Sequence, residues 1–240
     1  MKKYLLSIAL LVTGGFLSSC EVIHGSGDLV DETRIISSSY TGIMVESGIV
    51  IEFSNALAPD EIDISGDSNI LPYTETYVNN SGSLVIKYKN KVNIKTRHET
   101  VVVLPEVTNL RYIRASGGSS VTGSHDIQSG TFDIDASGGS KVVLVITCQN
   151  LNVEGSGGSK IEIAGVADDA DVELSGGSEL RKFGLTVDTF ECHLSGGSSV
   201  EIVCTETLIV YASGGSKVYY KGDCSVAPKN ISGGSEIVKK

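Results

Sequence analysis

The sequence predicts an all-β chain wound into a parallel β-solenoid. Ser-Gly-Gly-Ser occurs seven times, starting at Ser116, Ser137, Ser156, Ser175, Ser195, Ser213 and Ser232, with successive starts 21, 19, 19, 20, 18 and 19 residues apart. A period near 20 marks a stacked repeat whose units bury their apolar faces against one another. Two places after each tetrapeptide stands an unbroken aliphatic column, Val121, Val142, Ile161, Leu180, Val200, Val218 and Ile237. Neighbours of that column alternate with it, as in Lys160-Ile161-Glu162-Ile163, the period-two pattern of a strand with one buried face.

In chain order, residues 1–19 come first. Lys2 and Lys3 precede an apolar run from Tyr4 through Leu17, too short to cross a bilayer, which is the pattern of a signal peptide. It ends Leu17-Ser18-Ser19-Cys20, which resembles the bacterial lipoprotein signal, so Cys20 is expected to carry the lipid; the alternative is an ordinary secretory signal that contains a cysteine. Residues 20–39 are then a polar tether on the membrane partner. The remaining residues, 40–240, form the solenoid.

Within it, residues 40–110 read as less regular rungs, with a separate N-terminal β domain as the alternative. Ile43-Met44-Val45-Glu46-Ser47-Gly48-Ile49-Val50-Ile51 is strand, glycine corner, strand, and Ser65-Gly66-Asp67 and Ser81-Gly82-Ser83 read as further corners. Residues 111–240 are the regular units, each expected to run strand, corner, strand, longer loop. The pairs Gly117-Gly118, Gly138-Gly139, Gly157-Gly158, Gly176-Gly177, Gly196-Gly197, Gly214-Gly215 and Gly233-Gly234 occupy the corners, where positive φ or close approach of the coil above favours glycine. Three places before the tetrapeptide lies a second column, Ile113, Ile134, Val153, Val172, Cys192 and Val210, which fails at Lys229. About ten rungs, roughly 50 Å of stack, are expected. A right-handed coil is expected from the handedness of parallel crossovers.

Charge is concentrated on this stack. Residues 126–210 hold 14 Asp/Glu and 4 Lys/Arg, −10, which equals the formal charge of the whole chain. Stacking places Asp133, Asp135, Glu154, Asp171, Glu173 and Glu191 in ladders on one outward face. Such ladders are relieved by splaying into solvent, by Lys141 and Lys160, or by a cation, of which calcium is the candidate; no other cofactor is expected. The segment holding Lys87, Lys89, Lys91, Lys95 and Arg97 is basic and reads as a solvated edge. Nothing matches a nucleic-acid module, and the acidic balance argues against that partner. Walker, nucleophile-elbow, zinc and calcium-nonapeptide patterns are absent. Cys148, Cys192, Cys204 and Cys224 form no Cys-x-x-Cys pair. Cys148 and Cys224 share a repeat position four rungs apart, too far for a disulfide.

Residues 35–238 resemble the putative auto-transporter adhesin head domain family, also called the head GIN domain. The resemblance rests on Gly42-Ile43-Met44-Val45, Gly66-Asp67-Ser68-Asn69-Ile70-Leu71, Ser83-Leu84-Val85-Ile86, Val103-Leu104-Pro105 and the recurrent tetrapeptides. It implies a secreted or lipid-anchored β-solenoid of the bacterial cell envelope, on the outer membrane, facing the periplasm or the outside. It supplies no catalytic residues. The expected function is non-enzymatic binding of a glycan or an envelope or host protein along the lateral surface. The alternatives are a polysaccharide-active β-helix lyase or hydrolase, disfavoured because near-constant unit lengths leave little loop for a cleft, and a ligand-free scaffold.

Overall fold

From Val121 to Val218, every member of the aliphatic column points into one interior and is at most 1% exposed. The computed structural model describes residues 21–36, 38–90 and 92–240. The signal peptide and Cys20 lie outside them. The described chain is a parallel β-solenoid of about seven turns, and its one helical element is the short 3-10 turn Leu71–Tyr73. The column before the tetrapeptides is equally buried, and its members lie directly opposite one another: Ile113, Ile134, Val153, Val172, Cys192, Val210. Each such aliphatic side chain contributes about 1.5–3 kcal/mol by leaving water. Sizes compensate along the stack. Ala170 sits opposite the large Phe190, and Leu174 overlies Gly155, where a Cβ would come within 2.5 Å of its methyl.

Each Ser-Gly-Gly-Ser is a corner with both glycines at positive φ, between 61° and 80°, the pattern of a type I′ turn. The two glycines differ in role. A Cβ on the first would stand 2.8–3.2 Å from the preceding corner's backbone nitrogen, 3.2 Å at Gly176 over Gly157; a Cβ on the second would meet nothing within 4 Å. All seven corners stack in one line, which begins at Ser47, itself at φ 67°. The first serine donates its N–H to the coil before, as Ser175 does to Gly155 at 2.8 Å. The last serine is fully buried from Ser119 through Ser216. Its hydroxyl is satisfied within the turn, as Ser178 Oγ donates to the Ser175 carbonyl at 2.8 Å, or by an adjacent coil, as Ser140 Oγ donates to the Ala115 carbonyl at 3.0 Å.

The longer loop expected in each unit is reduced to breaks of three residues, 182–184 and 222–224, in two units, and the strand runs on without one in others. Burial in Lys141–Gly155 alternates through Val142, Leu144, Ile146 and Cys148; then two exposed residues, Gln149 and Asn150, reset the phase before Leu151. One extra residue switches the face that side chains take, so this reset turns the chain while Cys148 and Asn150 stay paired with Ala167 and Asp169. A corner made by a phase reset needs no loop residues.

Residues 40–110 are not stacked in chain order. Gly42–Val45 lies between Ser83–Tyr88 and Tyr112–Ala115, and Val50–Ser54 lies between Val101–Pro105 and Ser120–Ala136. The chain therefore lays one coil, covers its outer side, and returns at residue 112 to build on its inner side. Antiparallel pairing of Leu29–Ile35 with Glu61–Asp67, and of Thr74–Val78 with Ser83–Tyr88, completes the cover. This accounts for about seven turns in place of ten. Ser65-Gly66-Asp67 is accordingly no corner but straight strand, opposite Asp31, Val30 and Leu29.

Asp67 anchors this cover. It is fully buried and accepts backbone N–H bonds from Gly27 (3.0 Å), Arg97 (2.7 Å) and His98 (3.1 Å), and a contact of 3.1 Å from His98 Nδ1. Burial opposes its ionisation, but the bonds from Arg97, His98 and Gly27 outweigh it and hold the carboxyl at about 2.

Candidate functional site

Strand alternation places every second residue of the wall before each corner on the outside, and stacking turns these residues into two ladders. Next to the corners, register aligns Arg114, Asp135, Glu154, Glu173, His193, Tyr211 and Asn230. Two residues earlier, it aligns Tyr112, Asp133, Asn152, Asp171, Glu191 and Ile209. All six carboxylates named from the sequence stand in these ladders.

Part of the ladders' charge is met, and by partners other than Lys141 and Lys160. Those lysines align with each other and with Glu179 on the wall after the corner. Asp135 is instead paired by Arg114, Nε to Oδ2 at 2.8 Å, and Asp133 accepts from Asn152 Nδ2 at 2.7 Å. His193 Nε2 lies 3.1 Å from Glu191, and its ring stacks on Tyr211 at 4.3 Å and 10° between planes. Asp171 is raised from its ordinary value, first by burial, then by the charge of Glu191, with His193 opposing and Glu173 adding to the rise. Glu154 and Glu173 stand between the two paired ends of the ladder.

Between this wall and the corners runs a groove of about 420 Å³, floored by Asp135, Glu154, Glu173, His193, Tyr211 and Asn230 and edged by Ser156, Ser175, Ser195, Ser213 and Ser232. A second groove of about 410 Å³ adjoins it at Asp135 and extends over Arg114, Asp133, Tyr112, Met44, Ser83 and Asn79. Tyr112 is fixed there, its hydroxyl bonded to that of Ser83 and its ring lying where a Cβ on Gly42 would be. The two grooves form one track parallel to the stacking axis. Sequence reasoning found its carboxylates but not Arg114, Tyr211 or Asn230. Stepping one repeat back from Asp135 and onward from Glu173 reaches all three.

Among the described residues, no group of three His, Cys, Asp or Glu side chains converges as a metal site. Calcium takes about six to eight oxygens, and a ladder along the axis spreads its oxygens out. On the neighbouring wall Glu162, nearly buried, bonds Lys182 at 2.5 Å and Arg181 at 3.3 Å. Lys182 and Phe183 there take positive φ, 83° and 48°, with Lys221 lying over the Phe183 ring at 4.3 Å. This cluster is consumed by its own pairs. No described helix is long and apolar enough to cross a membrane.

The fold is shared with solved structures of low identity. A putative adhesin from Bacteroides fragilis NCTC 9343 superposes with a TM-score of 0.76 at 20% identity, covering 91% of this chain and 99% of that one. A putative adhesin from Parabacteroides merdae ATCC 43184 gives 0.72 at 20%, covering 92% and 99%. A putative lipid binding protein from Parabacteroides distasonis ATCC 8503 gives 0.70 at 21%, covering 92% and 100%. Among curated proteins there is no match. Residues 39–224, which take in the out-of-order coil and six of the seven corners described above, match the model of one family, and the chain belongs to it: the putative auto-transporter adhesin, head GIN domain.

Proposed function

We propose that this protein is a non-enzymatic binding module of the bacterial cell envelope, anchored by lipid at Cys20, which holds an extended ligand along the track beside its corners. The observation that carries the reading is the track itself: carboxylates and serine hydroxyls repeat along one axis, beside one stacked His193–Tyr211 pair. A chain of sugar units presents hydroxyl donors and flat C–H faces at a similar repeat. Carboxylates accept from the hydroxyls, and aromatic rings cover the C–H faces. A glycan is therefore the ligand class we favour over a protein. Family membership and the neighbours called putative adhesins support surface binding. Units of 18–21 residues lend no long loops to a catalytic cleft, which supports binding over polysaccharide cleavage.

The test is an array of glycans and envelope proteins probed with the full chain, then with Glu154→Gln, Glu173→Gln and Tyr211→Ala combined. Each bond to a charged group is worth about 1.5–3 kcal/mol, so binding should fall at least tenfold while the melting curve holds. Retention of the same ligand at unchanged affinity by the variant would remove the track from the reading. If nothing on either array binds, the scaffold alternative stands.

A further inference from the structure

The four cysteines among the described residues are all free thiols, but two of them meet. Val203 lies opposite Lys221 and Thr207 opposite Ser225, which puts Cys204 and Cys224 on adjacent coils at the same corner. The two groups feel each other: after burial, the neighbouring Cys224 thiol is the next cause that pushes Cys204 up. Cys204 is fully buried, with its sulfur 3.2 Å from the Thr207 carbonyl it donates to. Cys224 is half-buried and packs against the core from the outermost coil. The other two thiols are elsewhere. Register carries Cys148 through Ala167 and Val187 to Cys204, three rungs away and beyond the reach of a disulfide, while Cys192 stacks between Val172 and Val210 on another wall.

We propose that Cys204 and Cys224 form a disulfide that fastens the last coil to the coil before it. The oxidant is a low-molecular-weight disulfide of the glutathione class. Cys224, the sulfur that solvent reaches, loses its proton and attacks one sulfur of the oxidant, whose other half leaves as a thiolate and takes that proton. Cys204 then attacks the Cys224 sulfur of the mixed disulfide, giving up its own proton to the second departing thiolate. One oxidant disulfide is reduced by two electrons to two thiols, and one protein disulfide is made. Burial pushes the Cys204 thiol up to about 12, so the oxidant meets Cys224 first, and Cys204 attacks only once the mixed disulfide lies beside it.

The bond would act where the stack is weakest. Ser225–Ile231 and Glu236–Lys239 each pair with the coil before and, among the described residues, with nothing beyond. A bridge from 204 to 224 closes a loop of about 20 residues across that last interface, for which an upward melting shift on the order of 5–10 °C is expected.

The experiment takes the full chain in detergent, treats it with oxidised glutathione or with dithiothreitol, blocks the remaining thiols with N-ethylmaleimide, and maps linked peptides by non-reducing mass spectrometry. The expected result is a 204–224 linkage in the oxidised sample only. Amide exchange of residues 225–239 should then slow at least tenfold against the reduced sample. Cys204→Ser perturbs a core position, so the informative variant is Cys224→Ser, which should fold, leave Cys204 alkylatable on denaturation, and show no exchange difference between the two treatments. A stable glutathione adduct on Cys224, a linkage between other cysteines, or free thiols at all of Cys148, Cys192, Cys204 and Cys224 after oxidation would each overturn the proposal.

Discussion

Replacing the two glycines of one corner separately by alanine measures how the coils touch. At Gly177 an added Cβ meets nothing within 4 Å, so the cost is that of holding alanine at φ 77°. That cost is about 1–2 kcal/mol, offset by about 0.4–1 kcal/mol because alanine stiffens the unfolded chain. A net loss near 1 kcal/mol is expected. At Gly176 the same backbone strain applies at φ 61°, and the Cβ stands 3.2 Å from the Gly157 nitrogen. That contact is tighter than ordinary packing, and the coils must part by a few tenths of an ångström along a line where seven corners are stacked. A loss of about 2 kcal/mol is expected. Gly165→Ala is the severe case, because its Cβ would overlap the Ile146 carbonyl oxygen and φ is 118°. More than about 3 kcal/mol should be lost there. Urea titration followed by circular dichroism ranks the three variants, with m-values compared so that loss of a few coils is told apart from global unfolding. Equal losses at Gly176 and Gly177 would refute the stacking contact as a source of stability. A neutral Gly165→Ala would refute the tight second approach.

Ile161→Asp places an unpaired carboxylate in a fully buried column and should cost several kcal/mol; wild-type thermal stability would reverse the inside and outside assignment. The carboxyl of Asp67 is lowered from its ordinary 3.8 to about 2, so its contribution is complete above about pH 4 and disappears as pH falls through about 2. Over that window the melting temperature of the wild type should fall more steeply than that of Asp67→Asn, and parallel curves would show that the clamp adds nothing. Millimolar calcium should leave the melting curve where a chelator leaves it at matched ionic strength; an increment abolished by Glu154→Gln with Glu173→Gln would restore the cation reading of the ladder. A fatty-acid analogue should label the wild type and spare Cys20→Ala, whereas equal labelling would leave an ordinary secretory signal.

The corners, both aliphatic columns and the carboxylate ladders were legible because repetition prints them at a fixed offset. Local pattern cannot say which strand lies beside which, and that is why the threading of residues 40–110 was not legible. Gly42–Val45 looks the same whether its neighbour is the next strand or one 41 residues later, as Leu84 is to Ile43. Ser65-Gly66-Asp67 was misread as a corner for a related reason: its glycine serves a close approach to Thr100 and Leu71, not a turn. The second approach was legible and was passed over. Gly165, Gly184 and Gly222 each stand nine places after Ser156, Ser175 and Ser213, and in each case a Cβ would press on a carbonyl of the preceding coil. The site's cationic and aromatic members were missed because only acids were followed along the repeat.

The out-of-order coil also sets a direction for assembly. Gly42–Val45 and Val50–Ser54 have one side covered by Ser83–Tyr88 and Val101–Pro105, so they can accept new coils on the other side alone. Joining the cover to that coil closes a loop of roughly 40 residues, an entropic toll met once, before any regular unit has a template. Each later unit then docks on a finished edge at the cost of about 20 residues of ordering, so growth is a zipper with one slow start. Removing whole units from the C-terminal end should leave a shorter stack that still folds. Removing residues 83–105 should delay or prevent every coil that follows, although most of those coils never touch them.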